Sequence, residues 1–295
     1  MNAAQRLRAV PPWSIAVTAM LTVQLSNALS VPVIAEVGAA GTAWLRMCFG
    51  AVILWFIARP AIRSLRRGDL PALIGLGVVT GFMTTFFLAA VERIPLGTAV
   101  AIEFLGPLTV AGLMSKNRRA LVWPLIAFVG VVLLTEPWHG EVDFVGVGFA
   151  LVAGACWGLY NLLTQYVGDR FSGITGLSLT IPVAAVATLP LGLPQVAEGP
   201  FPWWVLPAAA GIALLTPVIA FGLEMLALRR MTHTAFGTLL SIEPAFGILI
   251  GLIVLAQTPT VTQLIGIAVV IAAGAAAQRG GRRAGEADAV ASADR

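Results

Sequence analysis

Ten stretches of about twenty largely apolar residues divide this chain, and most of its charges lie in the short connections between them. The stretches fall at approximately 13–32, 41–58, 70–91, 95–115, 120–136, 144–166, 173–193, 203–227, 233–256 and 260–278. At a rise of ~1.5 Å per residue, such a run crosses the ~30 Å hydrocarbon core of a bilayer. Charged residues make up only 11% of the chain, against about 25% in a soluble domain. Folded in water, it would have to expose most of its apolar surface. Long continuous runs, rather than alternating segments of ~10 residues, predict helices and not a β-barrel. The expected fold is all-α and integral to a membrane, with ten transmembrane helices.

The basic residues test that count independently. With the N-terminus in the cytoplasm, sixteen of the Lys and Arg residues fall in inside loops or termini. Arg93 alone falls outside, and Arg46 lies within a span. This is a strong positive-inside pattern, and it predicts a multi-pass protein of the plasma (inner) membrane with both termini cytoplasmic. The amino terminus has some features of a signal peptide, but the charge pattern and an internal repeat both need it as the first span.

Seven residues occur twice. Gly97 to Glu103 and Gly237 to Glu243 both read GTxxxIE, 140 positions apart, and each opens a strongly apolar run. The chain therefore divides into two five-helix repeats, 13–136 and 144–278, followed by a Gly-, Ala- and charge-rich tail at 279–295 that is expected to be a disordered cytoplasmic segment. Five is an odd number, so the second repeat is upside down relative to the first. Inverted repeats of this kind recur in secondary transporters, with the site near the midplane where the halves meet.

Each copy carries its carboxylate about nine residues into a span, roughly 13 Å deep at helical rise. An acid at that depth is costly and by default functional. Glu103 and Glu243 are the first candidates for substrate binding and for proton coupling, because a carboxylate that alternately holds a proton and an ammonium group links two fluxes. Pro107 and Pro244 follow them closely, and each removes a backbone donor that would otherwise close the helix. Gln24 and Asn27 in the first span, and Trp157, Tyr160 and Asn161 in the sixth, are the other candidate lining residues. The alternative for each is a hydrogen bond between helices. Arg46 sits only ~5 residues from its helix start, so it either holds a carboxylate or snorkels to the surface. Glu224 lies near the cytoplasmic end of its span, where a gating or solvated surface role is expected.

These residues also carry a resemblance. Ile94-Pro95-Leu96-Gly97 through Ala101-Ile102-Glu103-Phe104, with Gly106-Pro107, forms one matching stretch. Gly154-Ala155-Cys156-Trp157 with Tyr160, and Leu223-Glu224-Met225 through Ala227-Leu228, form two more. Phe236-Gly237-Thr238-Leu239 with Glu243-Pro244-Ala245 completes the set. In this order they resemble the EamA branch of the drug/metabolite transporter superfamily, and within it the threonine/homoserine exporters. The resemblance spans roughly 13–278, and Gln24 falls where those exporters carry glutamine. It implies ten helices, cytoplasmic termini, and export of small neutral amino acids driven by the proton gradient.

Other classes find less support. No Walker loop, HExxH site or nucleophile elbow is present, so neither an enzyme nor a cofactor is expected. His139 and His233 fall on opposite sides of the expected membrane, and Cys48 and Cys156 lie inside apolar runs, which argues against a metal site. The net charge of +4 is dispersed between spans and does not suggest nucleic acid. The expected partners are a small-molecule substrate, protons and the lipid bilayer, with a homodimer a further candidate. An exporter of an organic cation or drug, and a non-transporting scaffold or receptor, remain alternatives.

Overall fold

The computed structural model describes residues 10–60, 67–114, 118–138, 142–168, 174–228, 230–231 and 233–280. Among them there are helices and no strands: α1 (Pro12–Ala58), α2 (Leu70–Val91), α3 (Leu96–Met114), α4 (Val122–Thr135), α5 (Phe144–Gly168) and α6 (Ile174–Ala197). Then come α7 (Val205–Ala213), a π-helical segment (Leu214–Ile219), α8 (Ala220–Leu228), α9 (His233–Leu240), α10 (Glu243–Leu255) and α11 (Val261–Gly280). Most of the expected tail, from residue 281 on, lies outside the described residues.

Seven helical stretches among the described residues are long and apolar enough to cross a membrane, and α4 and most of α11 are shorter apolar helices. The polarity of the molecule is that of a membrane protein. Phe56, Val186 and Val261 are more than 70% exposed on its outside, while Gln24, Arg46 and Glu243 are at most 6% exposed within. Lipid accepts the first set and refuses the second. Together, these features make the chain a multi-pass integral membrane protein.

α1 has 47 residues, or about 70 Å at helical rise, more than twice one crossing. The sequence predicts two separate helices here. Instead the first runs on past Pro32, and the chain turns at the single residue Gly38, whose φ of 69° and ψ of 167° are non-helical. Positive φ at this angle suits glycine and strains any side chain. A Cβ there would also overlap the amide of Gln195 on α6. That amide closes the bend, because Gln195 Oε1 accepts the Gly41 N–H at 2.8 Å.

Packing is mainly between the two halves of the chain. α1 lies along α6, α2 and α3 against α5, and α4 against α11. The helices carrying the repeated motif also meet: Gly97 leaves no room for a Cβ beside Ile248, and a Cβ on Gly247 would lie 3.1 Å from Val100. Outside the apolar bundle, the Arg93 guanidinium pairs with Asp143 at 2.9 Å, joining the halves at their boundary. Asp143 Oδ1 also accepts the Gly146 N–H at the start of α5. Those two partners, the Gly146 amide first, hold the Asp143 carboxyl below its ordinary value.

The tightest approach joins α3 to α5. A Cβ on Gly106 would overlap the carbonyl of Gly154, and one on Gly154 would sit 2.6 Å from the carbonyl oxygen of Glu103. Backbone faces backbone, so neither side can yield by changing a rotamer. Gly106→Ala is therefore expected to cost about 1–3 kcal/mol, the usual range for overpacking. Gly148, on the same helix as Gly154, has open space around it, and Gly148→Ala should leave stability equal or raised. Thermal unfolding of both variants in detergent checks the contrast.

Candidate functional site

α1 supplies the floor of the site through two amides one helical turn apart. Gln24 Nε2 donates to Glu243 Oε1 at 3.1 Å, and Asn27 Oδ1 accepts from Arg46 Nη1 at 3.1 Å. Residues three apart share a helix face, so one face of α1 holds an acid and a base side by side. Arg46 belongs to the second half of the same helix and reaches back across the Gly38 bend.

These groups open into one cavity of about 80 Å³. Its lining includes Gln24, Asn27, Arg46, Thr84, Glu103, Trp157, Tyr160, Thr216, Glu224 and Glu243. The apolar part of the wall includes Met20, Met83, Phe87, Phe221 and Phe236. Trp157 leans on Phe104 with ring centroids 6.1 Å apart, and Tyr160 on Phe221 at 6.3 Å, which fixes the aromatic walls. On the same measure a water needs ~10–15 Å³, so the space suits roughly five to eight water-sized groups. That is the scale of a small solute and too little for a nucleotide.

The acids reach this cavity by different backbone routes. α3 runs unbroken through Pro107 and presents Glu103, half-buried, from its middle. The second copy of the motif does not repeat this. α9 ends at Leu240, Ser241 and Ile242 form a turn, and Glu243 begins α10 with Pro244 next to it. Pro244 has no N–H to offer the carbonyl of Leu240, so the ladder fails there. Glu243 thus stands in the first turn of a new helix, where the exposed N–H groups favour negative charge. Pro107 and Pro244 shape these helices without lining the cavity.

The structure decides between the two readings of Arg46 and departs from the expectations for Glu224 and Asn161. Arg46 does not snorkel: it is 5% exposed and turned into the cavity, held by Asn27. Glu224 is not a surface residue but a third acid on the cavity wall. The reason lies upstream of it. Thr216 leaves helical geometry (φ −139°, ψ 121°) ahead of Pro217, so α8 does not continue the axis of α7. Asn161 does not share the cavity: it is half-buried and next to Tyr160, about 100° further round the helix at 3.6 residues per turn. Thr84 and Thr216 were missed by sequence reasoning; the Thr216-Pro217 pair in mid-span was the available signal, since a residue before proline is biased away from helix.

Four buried side-chain atoms on the wall have no hydrogen-bond partner among the described residues: Gln24 Oε1, Arg46 Nε, Thr216 Oγ1 and Glu243 Oε2. Buried polar atoms are normally satisfied. Here one cationic donor, two acceptors and one hydroxyl belong to residues that line a shared space. No group of three or more metal-ligating side chains occurs among the described residues, and both cysteines are free and half-buried.

A polytopic helical bundle enclosing a solute-sized cavity with buried ionisable groups on its wall is the architecture expected of a membrane transport protein. The comparisons with known proteins agree. The model of the EamA-like transporter family matches residues 144–276. The threonine/homoserine exporter RhtA of Escherichia coli (strain K12) is 36% identical over 273 residues, covering 90% of this chain and 92% of that one. The exporter of the same description from Salmonella typhimurium (strain LT2) is 34% identical over 272 residues, with the same coverage. The pseudopaline exporter CntI of Pseudomonas aeruginosa is 28% identical over 129 residues, 42% of this chain and 45% of its own. A solved crystal structure with 17% identity superposes with a TM-score of 0.60 over 90% of this chain and 96% of its own, which shows a shared fold. The chain belongs to the EamA-like transporter family. It is a transporter of a small molecule and not an enzyme.

The Gln24–Glu243 bond is a measurable part of this site. Gln24→Ala and Glu243→Ala should each destabilise the protein, and the double variant should lose less than their sum by about 1 kcal/mol or more. Unfolding in detergent across the four proteins reads this coupling. Strict additivity would mean that the pair contributes nothing.

Proposed function

We propose that the protein exports small neutral amino acids of the threonine and homoserine kind across the inner membrane by proton-coupled alternating access. The observation that carries this is that Arg46 Nε and Glu243 Oε2 are both buried and unpartnered on residues that line one cavity. A zwitterion complements both: its carboxylate answers the guanidinium and its ammonium answers the acid with Gln24 Oε1 beside it. Hydrogen bonds to ionised groups are the stronger ones, and a desolvated pocket increases their value. The identity to exporters described as acting on threonine and homoserine supports the substrate class.

The topology accords with the same reading. Dividing α1 at Gly38 and including the shorter α4 and α11 among the crossings gives ten spans, five on each side of the break at 136–144. The two inverted halves are related by the Gly97–Glu103 and Gly237–Glu243 repeat, with both termini in the cytoplasm. Glu103 and Glu243 exchange a proton for the ammonium group as the cavity opens alternately to either side. Glu103 is within electrostatic range of both Glu243 and Arg46, so charge gained or lost at one is felt at the others.

Proteoliposomes with an imposed pH gradient and a competition panel of amino acids test the reading. Threonine and homoserine are expected to compete with labelled threonine, with flux rising with the gradient. Glu103→Gln, expressed at normal levels, should lose the dependence on pH and at least tenfold of uphill flux. Full flux with unchanged pH dependence would remove Glu103 from the coupling. A panel in which only organic cations compete would move the substrate to that class, as three acids facing one arginine would allow.

A further inference from the structure

Threonines inside these helices have a habitual partner. Thr42, Thr80, Thr85, Thr109, Thr180 and Thr188 each donate their hydroxyl to the backbone carbonyl four residues earlier, at 2.7–3.1 Å. In a membrane this is the default satisfaction of a hydroxyl, because no water competes for it. Thr216 cannot make that bond. Its backbone is extended (φ −139°, ψ 121°) where the helix gives way before Pro217. The carbonyl it would use, that of Ile212, is taken by another group: Ser26 Oγ on α1 donates to it at 3.1 Å.

The break is therefore repaired on the backbone side and left open on the side-chain side. Thr216 is 1% exposed, its Oγ1 has no partner among the described residues, and it lines the cavity. Gly50 packs its Cα face against the Pro217 ring, where a Cβ would lie 2.8 Å from the ring carbons, so the loop is held at that position from behind. Thr216 is thus a fixed residue of the cavity wall whose hydroxyl, able to donate or accept, is desolvated and uncommitted.

We infer that Thr216 reads the side-chain hydroxyl of the transported amino acid, and so selects hydroxy amino acids over apolar isosteres. The inference rests on the amino-acid reading above and assigns its third contact. Arg46 takes the carboxylate, Glu243 and Gln24 take the ammonium, and Thr216 takes the hydroxyl. An apolar pocket discriminates weakly between a methyl and a hydroxyl, whereas a site with a buried polar group waiting for a partner penalises the analogue that leaves it unpaired.

The test compares threonine with valine, the same shape with methyl for hydroxyl, in proteoliposomes containing wild type, Thr216→Val or Thr216→Ser. Binding is read in parallel in detergent from tryptophan fluorescence, with Trp157 in the wall as reporter. Wild type is expected to favour threonine by roughly tenfold or more. Thr216→Val should bring the ratio toward one, chiefly by gaining valine, and Thr216→Ser should restore the preference. Thr216→Ala replaces the valine variant should that one fail to fold. A valine or alanine variant that keeps the wild-type preference overturns the inference and leaves amino-acid transport standing. So does a serine variant that loses the preference as fully as valine. A wild type that neither binds nor moves any amino acid sinks the proposed function itself, and this assignment with it.

Discussion

Everything in the interior stems from the cost of holding ions where no water can reach them. A lone carboxylate or guanidinium in hydrocarbon is not a stable arrangement; it needs an opposite charge, a proton or several hydrogen bonds. This chain meets the requirement with one turn of α1. Gln24 steadies Glu243 and Asn27 steadies Arg46, and both amides lie on the same face of one helix. Each bond leaves one charged atom uncommitted, so the arrangement is stable enough to persist and incomplete enough to bind.

A second constraint is that every interruption of a helix in lipid must be repaired. The bend at Gly38 is closed by Gln195, and the gap before Pro217 by Ser26. The start of α3 is closed by Gln257, whose Oε1 accepts the Leu96 N–H at 3.1 Å. In each case a side chain distant in sequence supplies the missing partner. The repairs double as tertiary contacts and fix the helices relative to one another around the cavity.

Much of this was legible in the residues. Spans could be read because the apolar runs have the length of a crossing, and Glu103 and Glu243 stood out because an acid repeated at the same depth of such a run is costly. Gln24, Asn27, Trp157 and Tyr160 came with them. Direction was harder to read. A helix that is apolar all round gives little sign of which side faces inward, so the inward turn of Arg46 and the exclusion of Asn161 were decided by packing. Glu224 was misjudged because its depth was counted along an unbroken helix, whereas the span is broken at Thr216 ahead of it. The two copies of the motif also diverge in a way that identity of sequence conceals, since Pro244 directly follows its acid and Pro107 stands a full turn beyond its own.

The backbone-to-backbone seam between Gly106 and Gly154 has a mechanical consequence. It welds α3 and α5 into one piece, so Glu103 and the aromatic wall at Trp157 travel together. Thr216 and Glu224, by contrast, hang on a stretch whose hydrogen-bond ladder is already parted before Pro217. Any change of shape that admits or releases a solute will therefore be lopsided, with a stiff jaw on one side and a jointed one on the other.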